Sequence, residues 1–547
     1  MVRVRRVSVS RRTLIAGSVA GAAAIGAGGI AWQERDAAMP GALGGADFAR
    51  GHRLRDGATF PAPTSETRTG IAILGGGVAG LSAAWTLAEA GMTDFRLFEL
   101  EDRTGGNARG GRNDISAYPL GAHYLPIPNA ETKGVVRLLE RLGIITGWQD
   151  SKPLYDPYQL VSDPDERLLH LGKWQEGLVP TIGLTPADKH DLDAFFAAMA
   201  SYRDRRDAQG RPAFAIPMAL SSRDPDLLAL DTLSFAAWLD AKGWRSPVLR
   251  GHVRYACRDD YGTEPDQTSA WAGIHYFAAR REHSANAGAD TVLTWPEGNA
   301  HLSGRMAARL RSHLTCGQIV HRVRPTDAGV EIDSFDVAAG VGQRIHAKAA
   351  ILAMPHFVAA RVLPTGTADA SGFSYAPWIV ANVTVDRPPA GAGFELAWDN
   401  VSWTSKSLGY VVATHQSLAS IRGATVLTWY MAMSDTTPAA ARRELLDRPL
   451  DHWQDIVRTD LIETNPDLEG AIRRIDVWRW GHAMIRPTTG FFWSGARESA
   501  ATPQPPLFFA HSDLSGLSLF EEAHYRGTVA AQDAMAHLGI PHTDLLV

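Results

Sequence analysis

The fold is decided by residues 70–80, which read Gly70-Ile71-Ala72-Ile73-Leu74-Gly75-Gly76-Gly77-Val78-Ala79-Gly80. An apolar run of strand length enters three consecutive glycines, and a helical pattern of apolar residues follows them. Gly75 is expected to permit the sharp turn, Gly77 the approach of the backbone to a pyrophosphate, and Gly80 the close packing of helix on strand. The free N–H groups and positive dipole end of the helix then face a phosphate. The pattern predicts a nucleotide site; a glycine-rich turn with a purely steric role is the alternative.

A carboxylate after the next strand supports the nucleotide interpretation. Residues 95–98 are a second, mainly apolar run of strand length, and Glu99 follows it, 24 positions after Gly75. An acid at this position can accept hydrogen bonds from a ribose. The two strands together predict a dinucleotide site.

Length and composition bound the kind of protein. A chain of 547 residues predicts roughly two to four domains or subdomains. The formal net charge of −5 argues against a nucleic-acid partner, which would need a basic face. The two cysteines, Cys257 and Cys316, exclude a disulfide scaffold and a multi-cysteine metal site, so we predict no metal and two inert thiols, with a single bridge as the alternative.

The N-terminus has the composition of a targeting segment. It is basic up to Arg12, carries the pair Arg11-Arg12, and continues into an uncharged Ala/Gly-rich stretch that ends near Trp32. This segment resembles a twin-arginine export signal, which implies the twin-arginine export machinery as a partner and a periplasmic or exported location. A membrane anchor formed by an uncleaved signal is the alternative, although Ala and Gly make a poor bilayer span.

Several motifs follow the first nucleotide strand pair. A loop with two glycine pairs beside arginines, residues 103–111, is suited to a phosphate-bearing cofactor, with a solvated loop as the alternative. Asp259, Asp260 and Glu264 could attract a cationic substrate, but capping a helix and pairing with nearby arginines is the favoured interpretation. His275 lies on an apolar helical face and is expected to be a buried, hydrogen-bonded histidine.

The second half of the chain alternates strand and helix signals. Residues 330–333 and 344–348 predict a hairpin, and residues 349–355 a buried strand. Runs 378–386, 409–414 and 425–433 predict the antiparallel floor of a substrate domain. Near the C-terminus, a buried strand delivers Asp513 to its end, and a helix opens with acids at residues 521 and 522.

The glycine hexad, Glu99 and the run Arg103-Thr104-Gly105-Gly106 resemble the N-terminal FAD fingerprint of the flavin-containing amine oxidase and phytoene desaturase superfamily. In that superfamily the segment matching residues 118–124 runs beside the flavin ring, Val320 matches a residue whose backbone meets the adenine, and Asp513 matches an acid that approaches the cofactor. Two positions depart from its pattern, because Asn107 stands where arginine is usual and His511 where glycine is usual. The cofactor-binding residues that the resemblance implies are Gly75, Gly77, Gly80, Glu99, Arg103, Gly105, Gly106, Gly121, Ala122, His123, Val320, Asp513 and Glu521.

The predicted fold class is α/β, with a Rossmann-like FAD-binding domain and an inserted α+β substrate domain. The predicted boundaries are 1–32 for the export signal, 33–69 for a linker, 70–130 for the first FAD-binding segment, 131–290 for a helical substrate or cap region, 291–372 for the second FAD-binding segment, 373–485 for the substrate-domain sheet and 486–547 for the third FAD-binding segment. FAD is expected to be noncovalent, because no cysteine lies in the segment 478–493 upstream of the last FAD strand.

The candidate catalytic residues are His482 and Lys406. His482 lies in a segment that can line the pocket over the flavin, and the charge of a histidine can change near neutral pH; a histidine held by a backbone carbonyl is the alternative. The family's amine oxidases have a lysine near the flavin, but the corresponding strand, 379–383, has none. Lys406 is the nearest lysine, with a surface lysine as the favoured interpretation.

Three hypotheses about function follow. The first is an exported FAD-dependent oxidoreductase that removes a hydride from an amine or similar small molecule and passes electrons to an unknown acceptor. The second is a desaturase or isomerase of an apolar, isoprenoid-like substrate. The third is a nonenzymatic flavin-binding protein.

Overall fold

The computed structural model describes residues 38–281, 283–288, 291–417 and 423–546. The predicted export signal therefore lies outside the described residues. Within the described ranges, no helix combines the length and the apolarity that a membrane span needs.

The strands, numbered in chain order, are β1 Leu43–Gly45, β2 Pro63–Leu74, β3 Phe95–Phe98, β4 Gly110–Arg112, β5 Ala117–Pro119, β6 Tyr124–Pro126, β7 Ile145–Gln149, β8 Lys152–Tyr155, β9 Glu166–His170, β10 Lys173–Glu176, β11 Val292–Thr294, β12 Leu314–Thr315, β13 Gln318–Thr326, β14 Gly329–Asp336, β15 Val341–Leu352, β16 Tyr375–Val385, β17 Asp399–Ser402, β18 Tyr410–Val412, β19 Thr425–Ala432, β20 Ile472–Ile485 and β21 Leu507–Phe509. The helices are α1 Phe48–Arg55, α2 Val78–Glu89, α3 Lys133–Arg141, α4 Pro186–Asp204, α5 Pro225–Leu228, α6 Phe235–Ala241, α7 Pro247–Tyr261, α8 Ala270–Ala278, α9 Ala300–Arg309, α10 His356–Val362, α11 Pro438–Asp447, α12 Leu450–Thr464, α13 Ala496–Ala501 and α14 Phe520–His537.

One sheet carries the nucleotide motif. Its strands follow the order β12-β3-β2-β15-β14-β13, and β21 pairs with β15. The pairing of β2 with β3 and β15, and of β15 with β21, is parallel. The register places Leu74 beside Phe98 and Leu352, and Leu352 beside Phe509. The strands that lead to the glycine turn, to Glu99 and to Asp513 therefore end at one edge of the sheet.

The centre of this sheet is buried on both faces. Ile71 and Ile73 pack with Leu81 of α2, whereas Ala72 and Leu74 pack with residues of the opposite face. Both strand faces are apolar because helices and a second layer cover them, which explains the continuous apolar run in the sequence. The predicted hairpin is confirmed, since β14 and β15 pair antiparallel.

The second large sheet follows the order β1-β20-β16-β19-β18-β17-β9-β10. The predicted strands of the substrate-domain floor are confirmed as β16, β18 and β19, and β16 pairs antiparallel with both β19 and β20. One face packs on α12 through side chains such as Ile379 and Trp453. The other face carries Trp378, Trp398 and Tyr430, and it turns towards the candidate site.

The helices α4, α6, α7 and α8 form a separate hydrophobic cluster around Phe195, Phe235 and Trp271. The predicted helices 134–142, 186–203, 234–242 and 269–281 correspond to α3, α4, α6 and α8. The region 131–290 is not only helical, however, because it also contains β7 to β10. The strands β9 and β10 extend the second sheet at its edge, and their backbone groups pair there instead of within a helix.

The linker prediction for residues 33–69 is wrong where the structure describes the chain. Strand β1 pairs parallel with β20, α1 follows it, and β2 begins at Pro63. A Cβ at Gly41 would lie 1.9 Å from the Ile475 carbonyl oxygen, so this segment packs directly on the sheet backbone. The Gly and Ala content that suggested a flexible linker instead permits close packing. The domain boundaries stay predictions.

Candidate functional site

The glycines at positions 75, 77 and 80 of the nucleotide motif have three different environments. Gly75 has φ +115°, which L side chains rarely adopt, so the turn requires glycine. A Cβ at Gly80 would lie 1.9 Å from the Gly75 carbonyl oxygen, so α2 packs tightly on the turn. A Cβ at Gly77 would meet only the Gly106 Cα, at 4.0 Å. The space beside Gly77 is therefore open, and no side chain caps the first turn of α2.

Glu99 links the turn to the next loop. Its Oε2 accepts a hydrogen bond from the Gly76 N–H (2.6 Å), and its Oε1 accepts one from the Glu101 N–H (2.8 Å). Burial raises the pKa of the Glu99 carboxyl, although the two backbone hydrogen bonds oppose this shift. Each oxygen keeps a lone pair beyond the single hydrogen bond it accepts, so the carboxylate can also accept from ribose hydroxyls.

The glycine pair of the following loop lies against the turn. The Gly105 N–H donates to the Gly76 carbonyl oxygen (2.8 Å), and Gly105 forms a bridge with Gly77. The Arg103 side chain is exposed. The buried arginine of this loop is Arg109, whose guanidinium pairs with Glu101 (3.2 Å). The glycine pair therefore closes one side of the open space, and Arg109 brings a positive charge into the interior.

The segment of residues 121–123 is clamped beside that loop. A Cβ at Gly121 would lie 2.4 Å from the Asn107 carbonyl oxygen, and the Ala122 N–H donates to the same oxygen (3.0 Å). The Asn107 side chain donates to the Ala483 carbonyl oxygen, so it ties this loop to β20. Burial lowers the pKa of His123 to about 4, so its imidazole is neutral at pH 7.

Val320 lies two residues after Gln318, the first residue of β13. It is buried in β13, and Gln318 of the same strand donates its N–H to the Glu99 carbonyl oxygen (2.8 Å). The strand pairing therefore brings the segment after residue 317 next to the end of β3.

Asp513 lies at the same sheet edge, but other residues of the chain surround it. Its Oδ2 accepts hydrogen bonds from the His356 N–H (2.8 Å) and the Tyr375 hydroxyl (2.7 Å). The His511 Nδ1 lies 2.9 Å from Oδ1. Burial alone would raise the pKa of Asp513, but His511 and these hydrogen bonds hold it below its usual value. The carboxylate therefore joins α10, β16 and β21 at this edge.

The C-terminal helix closes the site from another side. A Cβ at Gly527 would lie 2.2 Å from the Ala79 carbonyl oxygen, so α14 crosses α2 at close range. Glu521, in the first turn of α14, is 1% exposed and pairs with Arg280 at 2.5 Å. Its charge is balanced by an arginine that follows α8, and its place at the cofactor stays a prediction.

A small cavity of about 60 Å³ lies between the second sheet and the helices α7 and α8. Four acids line it, namely Asp165, Glu166, Asp259 and Asp399. Five aromatic residues also line it: Tyr124, Tyr255, Tyr276, Trp398 and Tyr430. We call this space the acidic cavity.

The acidic cavity adjoins the segment of residues 121–123. The His123 ring lies 5.0 Å from the Tyr124 ring, 5.8 Å from the Trp398 ring and 4.9 Å from the Tyr430 ring, measured between centroids. All three partners line the cavity. One layer of aromatic side chains therefore separates His123 from the acids.

Comparison with known proteins now relates this geometry to a family. The sequence model of the family described as flavin-containing amine oxidoreductase matches residues 78–535, which is most of the chain. The chain belongs to this family. FAD is its cofactor, and the predicted α/β fold class is confirmed.

Single relatives differ in how much of the chain they match. A tryptophan 2-monooxygenase from Pantoea agglomerans pv. gypsophilae is 40% identical over 89 residues, which is 15% of this chain and 15% of that protein's length. A double mutant of putrescine oxidase is 17% identical, with a TM-score of 0.64 over 86% of this chain and 100% of the other. Cyclohexylamine oxidase from Brevibacterium oxydans IH-35A is 15% identical, with a TM-score of 0.60 over 86% of this chain and 99% of the other. At these identities the two structures show a shared fold.

The residues of this flavoprotein fit FAD. The open space beside Gly77 and the uncapped first turn of α2 suit a pyrophosphate, because free N–H groups and the helix dipole favour an anion there. The Glu99 carboxylate is available to ribose hydroxyls at the end of the neighbouring strand. The residue-by-residue contacts stay predictions, as does noncovalent binding.

Lys406 is a surface lysine, as the favoured interpretation held, and not a residue of the interior. Its side chain is 80% exposed, and its ammonium pairs with Asp435 at 3.1 Å. All seven lysines of the chain lie within the described ranges and are exposed. This member of the flavin-containing amine oxidoreductase family therefore has no interior lysine.

His482 is exposed and does not line the acidic cavity. Its ring stacks on Phe357, with centroids 4.5 Å apart, and its edge faces Tyr375. Partial desolvation by the neighbouring protein and repulsion from Arg442 lower the pKa of His482, although the residue is exposed. Its role as an acid or base stays a prediction.

For Asp259 and Asp260 the structure does not show the favoured interpretation, and Asp259 instead lines the acidic cavity. The favoured interpretation paired them with the neighbouring arginines, but Arg254 pairs with Glu264 (2.7 Å) and Arg258 lies 3.7 Å from the same acid. Glu264 thus fills the expected role, and Asp259 is left to face the cavity. The sequence did contain one indication: Tyr255 and Asp259 are four residues apart, a spacing that places both on one face of α7.

Other predictions about buried groups are confirmed. His275 is 1% exposed, and its Nε2 lies 2.9 Å from the Ala215 carbonyl oxygen. Cys257 and Cys316 are free, and burial raises the pKa of both thiols.

The stability of the protein should depend on the charge of Asp259. Burial raises its pKa to about 8, and repulsion from Asp260 and Glu166 adds to the shift. In the unfolded chain the carboxyl titrates near about 3.9, so its contribution to stability falls as the pH rises from about 4 to about 8. We expect Asp259→Asn to raise the thermal midpoint at pH 8 by on the order of 2 °C and to have little effect near pH 4. Thermal melts across pH, with the exposed Asp266→Asn as a control, test this; a lower midpoint at pH 8 contradicts it.

Proposed function

We propose that this protein oxidises a small amine by transferring a hydride from the carbon next to nitrogen to FAD. The observation that carries the proposal is the acidic cavity, which lies one aromatic layer from the segment of residues 121–123. Carboxylates and aromatic faces both favour a cationic nitrogen. The similarity to putrescine oxidase and cyclohexylamine oxidase supports the same substrate class.

The residues of the chain would hold FAD and shape its surroundings. The turn at Gly77 and the first turn of α2 would bind the pyrophosphate, and Glu99 would bind a ribose. When bound, FAD supplies an acceptor for two electrons and a hydride. The aromatic layer of Trp398 and Tyr430 would orient the apolar portion of the substrate and exclude water.

Burial affects which side chains near the acidic cavity carry a proton. His123 stays neutral at pH 7, so it adds no positive charge that would repel a substrate ammonium. The Tyr430 hydroxyl donates to the Asp399 Oδ1 (3.3 Å), which holds that carboxyl in place. Since no lysine lies in the interior, we propose that the carboxyls of the acidic cavity, rather than an amine side chain, are the titratable groups nearest to the substrate.

The test is anaerobic reduction of the purified holoenzyme. Primary amines are expected to bleach the oxidised flavin, whereas fatty acids and isoprenoid alkenes leave the spectrum unchanged. Lys406→Met should be reduced at the wild-type rate, because Lys406 lies on the surface. Reduction by apolar substrates alone would favour the desaturase or isomerase hypothesis, and a flavin that no donor reduces would favour a nonenzymatic role. Peroxide release in air then shows whether oxygen is the electron acceptor.

We also propose that the protein is exported through the twin-arginine machinery. Support comes from the pair Arg11-Arg12 before an uncharged Ala/Gly-rich stretch. A double substitution, Arg11→Lys with Arg12→Lys, is expected to retain the folded flavoprotein in the cytoplasm, as measured by cell fractionation. Equal export of the variant and the wild type contradicts this proposal.

A further inference from the structure

The N-terminal segment that the sequence predicted to be a linker joins the two large sheets. At one end its backbone pairs with the second sheet: the Ile475 N–H of β20 donates to the Pro40 carbonyl oxygen (2.9 Å), and β1 then pairs parallel with β20. At the other end, α1 packs through Leu54 on the sheet that carries the nucleotide motif. We call residues 39–60 the N-terminal strap.

The strap binds the loop that follows β3. Arg50 of α1 donates from Nη1 to the Leu100 carbonyl oxygen (2.9 Å), and the same guanidinium pairs with Asp102 (2.7 Å). The Asp47 N–H donates to the Glu101 Oε1 (2.7 Å). Three consecutive residues of this loop are therefore in contact with the strap.

Glu101 connects the strap to the acid of the nucleotide motif. Its carboxylate accepts the hydrogen bond from the strap, and its own N–H donates to the Glu99 Oε1 (2.8 Å). The other oxygen of Glu99 accepts from the Gly76 N–H (2.6 Å), so Glu99 in turn joins this loop to the glycine turn. A strap that detaches therefore releases the loop on which the position of the Glu99 carboxylate depends.

The end of the strap lies against a second part of the cofactor domain. Leu54 packs on the hydrophobic cluster that contains Val320, the residue that the family resemblance matches to the adenine contact. Arg53 lies over the Phe60 ring (4.5 Å), and this ring stacks on His321 with centroids 4.3 Å apart. The strap thus contacts both segments that are expected to receive the adenosine half of FAD, namely the loop after β3 and the first turns of chain in β13.

The two contacts of Arg50 with the loop differ in strength. Asp102 is 82% exposed, so solvent screens its ion pair with Arg50, which contributes little. The Arg50 side chain is 17% exposed, and a hydrogen bond from a charged group to the partly buried Leu100 carbonyl oxygen is stronger. The hold of the strap on the loop therefore depends mainly on the bond from Arg50 to the Leu100 backbone.

We propose that the N-terminal strap retains FAD, and that Arg50 is the residue of the strap that positions the loop after β3. A docked strap keeps Glu99 in place and covers the segments expected to receive the adenosine half of the cofactor. A detached strap lets FAD leave. The proposal concerns the release of the cofactor, so it goes beyond the proposed amine oxidation and applies whichever substrate is oxidised.

The first experiment measures the release of FAD from the holoenzyme as the rise of flavin fluorescence after dilution. Arg50→Met is expected to release FAD about tenfold faster than the wild type, the ratio that corresponds to about 1.4 kcal/mol. Arg50→Lys, which keeps the charge, should release FAD at a rate between the two.

Arg55→Met is the matched control for this experiment. Arg55 lies on the same helix, but its side chain is 49% exposed and pairs with the neighbouring Asp56. This variant should release FAD at the wild-type rate. An Arg50→Met protein that releases FAD no faster than Arg55→Met overturns the proposal.

A stability measurement separates this role from a purely structural one. Arg50 also pairs with Asp47 within the strap (3.0 Å), so its loss can lower stability without any effect on FAD. The thermal midpoint is therefore measured for the holoenzyme and for the apoprotein. Arg50→Met should lower the midpoint of the holoenzyme more than that of the apoprotein, because weaker binding of FAD adds less to the stability of the folded state. Equal lowering in both forms assigns Arg50 to the fold alone and overturns the proposal.

The reverse effect tests the strap without any substitution. A strap that retains FAD must itself be stabilised by FAD to the same extent, because coupling between two binding events is reciprocal. Amide hydrogen exchange is measured for α1 in the holoenzyme and in the apoprotein, with α4 of the helical cluster as the control segment. The amides of α1 should exchange more slowly when FAD is bound, and those of α4 equally in both forms. Equal exchange of α1 in the two forms overturns the proposal.

Discussion

Gly80→Ala is expected to prevent formation of the flavoprotein. The new Cβ would lie 1.9 Å from the Gly75 carbonyl oxygen and 3.3 Å from the Ala353 Cβ. The first of these contacts is with backbone, which cannot rotate away, so α2 must move off the sheet. That movement separates α2 from β2 and from α14, whose Gly527 approaches Ala79. We expect a loss of several kcal/mol in stability, on the order of 3 kcal/mol or more, measured as a lower thermal midpoint and as absent flavin in the purified protein.

Two matched glycine substitutions make this prediction specific. Gly77→Ala places its Cβ in the open space, 4.0 Å from the Gly106 Cα, so the protein should fold but bind FAD at least tenfold more weakly. Gly304→Ala lies on the exposed face of α9, with nothing within 4 Å of its Cβ, and should stabilise the helix by about 0.5–1 kcal/mol. A Gly80→Ala protein with wild-type flavin content, or a Gly77→Ala protein that binds FAD normally, would show that the cofactor does not use this turn.

Glu99→Gln is expected to weaken both the turn and the binding of FAD. Each carboxylate oxygen accepts a backbone N–H, from Gly76 and from Glu101, and an amide must present its NH₂ group to one of them. Leaving one buried N–H without an acceptor costs about 1–3 kcal/mol. Because the same oxygens are proposed to accept ribose hydroxyls, the Kd for FAD should rise at least tenfold. Titration of FAD into the apoprotein, followed by flavin fluorescence, measures this.

The control for this substitution is Glu66→Gln. Glu66 lies in the same strand that leads to the glycine turn, but its side chain is 63% exposed and pairs with His346. This variant should bind FAD as the wild type does. If Glu99→Gln also binds FAD with the wild-type Kd, the assignment of Glu99 to the ribose is wrong, although its role in the turn can still be read from the thermal midpoint.

Much of the cofactor domain could be predicted because its signals are local. The positive φ of Gly75, the close approach at Gly80 and the open side of Gly77 are consequences of how few atoms a glycine carries, and the sequence shows where those glycines are. The apolar run of β2 and the position of Glu99 after β3 also depend on neighbours along the chain. The family resemblance predicted that Asp513 lies at the same edge of the sheet. The parallel pairing of β21 with β15 places it there.

The candidate substrate site could not be predicted in the same way. Asp259 belongs to α7 and Asp399 to β17, 140 positions apart (399 − 259). No local sequence pattern at either residue indicates that the two are close in space. The surroundings of His482 could not be predicted for the same reason, because Phe357, on which its ring stacks, comes from another element. Lys406 lies between β17 and β18 of the second sheet, yet its side chain is exposed to solvent.

The sequence by itself therefore determined the cofactor, the turn that receives it and the order of the strands around it, because glycine geometry and strand periodicity act over a few residues. The tertiary structure alone decided which carboxyls meet in the acidic cavity, which histidines stay neutral and where the lysines lie. Charge state and cavity shape depend on distance and burial, and these are set only when segments far apart in the chain pack against each other.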